Sequence, residues 1–185
     1  MVRESFGVDV PVYRNDNLHI VNRAIASDGS GRVWAIPRLR YEPTLWSTSG
    51  KMVELHRRAA WFPAQVAVQS PGRERAPTPW VTNAWHDGVE HLWILLHVPD
   101  ANWRPPRPGS IPSGERIAPI DLDREYDTIL EVINTTTGQL LVTQRYDALV
   151  KNLLPGGYAV HYREDARGEP FLDIWQFRLV TPTRR

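Results

Sequence analysis

The chain has 185 residues, of which 42% are hydrophobic and 23% are charged, and its formal net charge is +1. This length predicts one domain with a hydrophobic core, and the near-zero charge gives no electrostatic reason to expect binding to nucleic acid or to an anionic membrane. Cysteine is absent, which excludes disulfides, thiol nucleophiles and cysteine-ligated metal centres. No apolar run approaches the roughly 20 residues of a membrane-spanning helix. Residues 1–7 contain no apolar signal core, so the chain as written predicts no export signal.

The first 61 residues predict an extended approach followed by one four-stranded unit. The approach, 1–17, ends in a cluster of turn-forming residues. Short strands with alternating or continuous apolar residues are then predicted over 18–26, 32–36, 44–47 and 52–57. Gly-containing turns at 28–31 and 48–51 separate them. Four strands within about 45 residues match the length of one propeller blade, here 18–61.

The same order of strands and turns is predicted to return after a Pro-, Gln- and Arg-rich connecting loop, 62–79. The second unit, 80–150, contains predicted strands at 80–85, 91–98, 128–133 and 140–145, with a Pro-rich insertion over 103–125 that argues against a buried strand. A partial third unit follows over 151–185. No apolar stripe with helical spacing persists for three turns, so the sequence predicts an all-β fold.

The succession of turn, Trp-containing strand and Thr-x-Gly turn resembles the C-terminal half of bacterial six-bladed β-propeller proteins of the NHL- or TolB-like kind. The matching segments are 28–34, 92–95 with 98–103, 126–138, and 162–170 with 174–175. The resemblance implies a β-propeller-like fold in which residues 1–185 form one partial propeller, with about two and a half blades of four-stranded antiparallel sheet.

A partial propeller leaves strand edges and inter-blade faces uncovered, which predicts self-association through open blade edges. Either the chain is a fragment of a longer reading frame, or its units assemble in another way. If it belongs to a longer exported protein, the resemblance implies a periplasmic or secreted location. A third hypothesis is that the chain is a stand-alone β-sandwich-like binding protein.

Histidine and carboxylate residues near the predicted strand 91–98 offer a candidate metal site, composed of His91, His97 and Asp100. Positions 91 and 97 differ by an even number, so both side chains would share one face of a regular strand. Histidine with carboxylate suits a divalent transition metal. The competing interpretation, in which the two histidines only flank an apolar strand, is the preferred one.

Acidic residues alternate before the strand at 128–133, at Asp121, Asp123, Glu125 and Asp127. On one face of a strand they would present carboxylates to a cation such as calcium, but they lack the glycine spacing of a calcium-binding loop. A solvated loop edge is the simpler interpretation. The triplet beginning at Asn134 matches a glycosylation acceptor and is interpreted as turn chemistry.

The aromatic and basic loop 103–108 is the predicted interaction element, with Trp103, Arg104 and Arg107 as its binding residues. Pro-rich segments lose little entropy on docking, and Trp and Arg are the residue types that dominate interface energies. The alternative interpretation is that this loop is a surface cover that shields a sheet edge or a blade end. The strand tryptophans, including Trp34 and Trp93, are expected in the core between blades.

No nucleophile elbow and no phosphate-binding glycine loop occurs in the sequence. The preferred hypothesis is therefore a non-enzymatic β-propeller segment that serves as a binding or protein-interaction module without a cofactor. The alternative is a metal-dependent propeller enzyme of the lactonase or sugar-dehydrogenase type, with His91, His97 and Asp100 at its metal.

Overall fold

The computed structural model of the protein describes residues 22–55, 76–105 and 122–180. Strands account for 57% of these residues and helix for 6%, which confirms the all-β prediction. None of the helices in the described ranges has the length and apolar character needed to cross a membrane. The predicted approach 1–17, Asp121 and Arg107 lie outside the described residues.

The strands form three antiparallel sheets, each made of strands that are consecutive in the sequence. The first sheet contains β1 (Arg23–Ser27), β2 (Val33–Pro37), β3 (Thr44–Ser47) and β4 (Gly50–Glu54). The second contains β5 (Trp80–His86), β6 (His91–Pro99), β7 (Tyr126–Asn134) and β8 (Leu140–Tyr146). The third contains β9 (Val150–Leu154), β10 (Tyr158–Glu164) and β11 (Pro170–Gln176).

The strands lie close to their predicted positions, and β3 has the predicted bounds. Strand β4 begins earlier than predicted, at Gly50, because this residue adopts a φ of 116° and lets the chain reverse within two residues. The segment before β7 has a different secondary structure from the one that the sequence suggested. Leu122–Glu125 forms one helical turn, α1, where the alternating acidic residues had suggested an extended chain.

The first two sheets pack face to face through a core of buried side chains. This core includes alternate residues of β2, Trp34 and Ile36, and alternate residues of β6, Leu92 and Ile94. Since successive side chains of a strand point to opposite faces, this contact uses one face of each sheet.

The second and third sheets pack through the opposite face of β6 and β7. Trp93, Leu95 and Leu130 contact Leu153 and Ala159 there. The second sheet is thus covered on both sides, and this explains the continuous apolar composition of β6 and β7, which are buried at almost every position. Trp34 and Trp93 both lie between sheets, as expected for core residues.

All three sheets begin at the same end of the molecule. The N–H of Val81, at the start of β5, donates to the carbonyl of Arg38 at 2.8 Å, and the N–H of Arg38 donates to Asn22, just before β1. The N–H of Val150, which starts β9, donates to the hydroxyl of Thr128 in the second sheet at 2.9 Å. The first strand of the second sheet, β5, contacts the first strands of both neighbouring sheets.

Two ends of the molecule can therefore be distinguished. The hairpin end consists of short turns, at 27–33, 47–50, 86–91, 134–140 and 154–158. The loop end contains the described parts of the longer connections, at 37–43, 99–105, 122–126 and 146–149, together with the turn at 164–170.

Candidate functional site

The turn between β1 and β2 is built on the carboxylate of Asp28. Its Oδ1 accepts the N–H groups of Ser30 at 2.9 Å and Arg32 at 3.3 Å, and its Oδ2 accepts from Arg32 Nε at 2.5 Å. Burial raises the pKa of Asp28, but the hydrogen bonds from Ser30 and Arg32 outweigh this and lower the net pKa. The carboxylate of Asp28 is therefore ionised, and both of its oxygen atoms accept hydrogen bonds within the turn.

The turn between β5 and β6 repeats this arrangement around Asp87. Its Oδ1 accepts the N–H groups of Val89, Glu90 and His91 at 2.8 to 3.1 Å, and its Oδ2 lies 2.5 Å from His91 Nδ1. Burial raises the pKa of Asp87, but the bonds from His91 and Val89 bring it below its ordinary value. His91 thus takes the place in this turn that an arginine takes in the first one.

His97, near the other end of β6, is held in a different environment. It is buried, its Nε2 donates to the carbonyl of Val150 at 2.9 Å, and its ring lies 5.6 Å from the ring of Trp80 and 6.3 Å from that of Tyr126. Burial lowers the pKa of His97, so the ring is neutral at pH 7. Its Nδ1 is buried and accepts no hydrogen bond from the described residues.

His91, His97 and Asp100 are not brought together. The two histidines are six positions apart on β6, which is about 20 Å along a strand. Each is engaged by a different group, Asp87 in one case and Val150 in the other.

Asp100 instead lies with two other carboxylates at the loop end. It follows β6, Asp127 lies at the start of β7, and Asp147 follows β8. One carboxylate oxygen of each lies within 4.8 Å of the other two. Oxygen atoms at this spacing can coordinate a hard cation such as calcium.

The cluster contains its own positive charge, the guanidinium of Arg145. Its Nε donates to Asp127 Oδ2 at 2.5 Å, and another of its nitrogens donates to the carbonyl of Pro99 at 2.5 Å. The N–H of Ala101 donates to the same carboxylate oxygen at 3.1 Å. Arg145 and Ala101 thus satisfy Asp127, while Asp100 is half-buried and Asp147 is exposed at the surface.

The predicted binding loop starts beside this cluster. The N–H of Trp103 donates to the carbonyl of Asp100 at 3.0 Å, which closes a turn, and the Arg104 side chain donates to the carbonyl of Trp103 at 2.8 Å. Trp103 is half-buried and Arg104 is exposed. Two of the three predicted binding residues therefore lie at the loop end, in the segment that follows Asp100, and Arg107 lies outside the described residues.

The acidic run before β7 does not form one strand face. Asp123 and Glu125 lie in α1, where Asp123 is exposed, whereas Asp127 is buried in β7. The helical turn breaks the alternation that the sequence suggested. The amide side chain of Asn134, by contrast, accepts the N–H groups of Thr136 and Thr137 at 3.0 and 2.9 Å, which confirms the turn interpretation of that triplet.

Three functional groups at these sites were missed by the sequence reasoning. Arg145 and Asp147 stand at and just after the end of β8, and only strand pairing places them beside β6. Glu131 is fully buried on the face of β7 that meets the first sheet, where it accepts a hydrogen bond from the hydroxyl of Tyr41. An isolated acidic residue within the apolar run 128–133 was the available signal for this contact.

The comparisons with known proteins add no family or neighbour. No protein-family model matches the chain, and neither the curated proteins nor the solved structures gave a significant match.

Proposed function

We propose that the three sheets are successive blades of a β-propeller-like assembly, and that the chain is a non-enzymatic binding module whose recognition surface is the loop end. Support for the blades comes from three features. Each sheet is an up-and-down meander, the first strand of the second sheet lies against the first strands of the other two, and the sheets pack face to face. This is how propeller blades are arranged.

The observation that carries the binding assignment is the grouping of Trp103, Arg104, Asp100 and Asp147 at one surface. A turn that follows β6 joins Asp100 to Trp103, Arg104 is the next residue, and Asp147 follows β8. Loops fixed on a rigid sheet are the usual place for recognition, and Trp and Arg are the side chains that most often dominate binding energy. A surface with an aromatic ring and both signs of charge suits an extended protein segment that carries both acidic and basic groups.

The test uses a phage-displayed peptide library selected on the immobilised protein, followed by fluorescence anisotropy with the selected peptide. Trp103→Ala should weaken binding at least tenfold, which corresponds to about 1.4 kcal/mol. Val89→Ala, an exposed change in the turn after β5, is the matched control and should leave the affinity unchanged. Equal binding by the Trp103→Ala variant, or no enriched peptide, contradicts the proposal.

The metal-dependent enzyme is less well supported, because His91, His97 and Asp100 each have separate partners. Elemental analysis of the purified protein provides the decisive comparison. A divalent metal bound in a one-to-one ratio and lost in His91→Ala would replace the binding module with the enzyme hypothesis.

A further inference from the structure

A row of three residues crosses the second sheet near the loop end. Strand pairing places His97 of β6 opposite Thr128 of β7, and Thr128 opposite Tyr146 of β8. The side chains of directly opposed residues share one face of a sheet and lie about 5 Å apart. Because His97 bonds to β9 and Tyr146 packs on the core between the second and third sheets, this row belongs to the face that meets the third sheet.

The hydroxyl group of Thr128 makes two hydrogen bonds to the connection between the second and third sheets. It donates to the carbonyl of Ala148 at 2.7 Å and accepts the N–H of Val150 at 2.9 Å. His97 Nε2 donates to the carbonyl of Val150 at 2.9 Å. Thr128 and Val150 are fully buried. Since buried backbone groups need hydrogen-bond partners, these three bonds fix the path of the chain through residues 148–150.

The connection is anchored on both sides of Asp147. Before Asp147, the ring of Tyr146 lies 5.8 Å from the ring of Trp175 in the third sheet. After it, Leu149 is 2% exposed. Asp147 itself is exposed, and its carboxylate belongs to the loop-end cluster of three carboxylates. The anchors therefore determine where this carboxylate stands at the surface.

We propose that Thr128 is a positioning residue for the recognition surface, because its hydroxyl holds the connection in the conformation that presents Asp147. The inference rests on the proposed function, in which Asp147 is part of that surface. Thr128 is fully buried and does not contact the ligand. A loop that is ordered before binding loses less entropy when the ligand docks, so the two hydrogen bonds of Thr128 raise the affinity indirectly.

Thr128→Val tests this role, because valine is close to threonine in shape and lacks the hydroxyl. The peptide selected from the phage library should bind this variant about fivefold more weakly in fluorescence anisotropy, since about one fifth of the molecules would keep the connection in the binding conformation. Thr128→Ser restores the hydroxyl and should bind as the wild type does. Wild-type affinity in Thr128→Val, or equal weakening in Thr128→Ser, overturns the proposal.

Thr82→Val is the matched control. The hydroxyl oxygen of Thr82 is also buried, but it has no hydrogen-bond partner in the part of the chain that the structure describes. The substitution removes the same group without breaking a hydrogen bond, so the affinity for the peptide should stay at the wild-type value. Equal weakening in Thr82→Val and Thr128→Val would reveal a general effect of removing a buried hydroxyl and would contradict a specific role for Thr128.

A double-mutant cycle tests whether Thr128 acts through Asp147. Asp147→Ala removes the carboxylate that the connection presents, so the addition of Thr128→Val to this variant should cause no further loss of affinity. If the two effects instead multiply, Thr128 acts on another part of the surface and the proposed positioning of Asp147 is wrong.

Nitrogen-15 relaxation of the ligand-free protein separates this inference from the proposed function. The order parameter of the Asp147 amide should be lower in Thr128→Val than in the wild type and unchanged in Thr82→Val. If the library yields no binding peptide, the proposed function fails, while the order parameter still tests the positioning. An Asp147 amide that is as well ordered in Thr128→Val as in the wild type refutes the positioning role.

Discussion

The two ends of the molecule each contain a buried aspartate paired with a half-exposed arginine, and the pairs are nearly identical in geometry. Asp28 and Arg32 at the hairpin end, like Asp127 and Arg145 at the loop end, are 2.5 Å apart. The side chains of the arginines are 45% and 42% exposed, and those of the aspartates 3% and 4%. The surroundings differ. Asp28 accepts two further hydrogen bonds from Ser30, whereas Asp127 lies beside two other carboxylates.

The comparison shows that similar ion pairs serve different purposes. At the hairpin end the carboxylate folds a turn, and its acceptors are satisfied within five residues of sequence. At the loop end Arg145 connects the ends of three strands, beside the half-buried Asp100 and the exposed Asp147. This difference supports our proposal that recognition belongs to the loop end and that the hairpin-end pair has a structural role.

The largest effect is expected at Gly157 of the hairpin end. Its φ is +74°, and a Cβ there would lie 2.4 Å from the carbonyl oxygen of Phe177. Gly157→Ala should lower the free energy of unfolding by about 3 kcal/mol, since backbone strain and a steric clash add. Gly29→Ala has a similar φ of +81° but no atom within 4 Å, so its loss should be nearer 1 kcal/mol. Equal losses in urea unfolding would mean that the close contact with Phe177 is unimportant.

The two ion pairs provide the second prediction. Arg145→Ala should cost about 2 kcal/mol, because it leaves Asp127 beside two like charges, whereas Arg32→Ala should cost about 1 kcal/mol or less. Calcium should restore part of the loss in Arg145→Ala and none in Arg32→Ala, since the three carboxylates can then coordinate the ion. Thermal unfolding with calcium and with a chelator measures both effects. Identical calcium responses would contradict a difference between the ends.

The third prediction concerns pH and compares His86 at the hairpin end with His97 near the loop end. Burial lowers the pKa of both rings from the ordinary 6.5. At lower pH the unfolded chain binds protons that the folded protein does not, so stability is complete above pH 6.5 and falls as the pH drops below it. Lowering the pH from 7.5 to 5.5 should therefore reduce the free energy of unfolding, with both histidines contributing to the loss.

His97→Gln keeps a hydrogen-bond donor and cannot titrate, so it should remove the contribution of His97 to this pH dependence. Urea unfolding at several pH values measures the slope. An unchanged slope in His97→Gln would show that the ring binds protons equally in the folded and unfolded states, and would contradict a pKa lowered by burial.

The smallest effect on stability is expected at Arg104, whose exposed side chain donates, among the described residues, only to the neighbouring carbonyl of Trp103. Arg104→Ala should change the free energy of unfolding by less than about 0.5 kcal/mol. Binding of the selected peptide should nevertheless weaken. A variant that loses stability but keeps its affinity would place Arg104 in the scaffold and not in the recognition surface.

The sequence predicts the fold better than the site, and particular residues show why. The turns at Asp28 and Asp87 are made within five residues, so local patterns reveal them, and the alternation or continuity of apolar residues reveals the strands. The cluster of Asp100, Asp127 and Asp147 depends instead on pairing among β6, β7 and β8 across a long connection. The α1 turn also changes the direction of the acidic side chains, which no strand pattern could show.

Backbone amide chemical shifts, recorded while the selected peptide is added to the protein, test the division between the two ends most directly. We expect the largest changes at the loop end, at the amides of Ala101, Trp103 and Asp147, with the hairpin-end glycines Gly29 and Gly88 unaffected. Changes concentrated at the hairpin-end turns would contradict the assignment of recognition to the loop end.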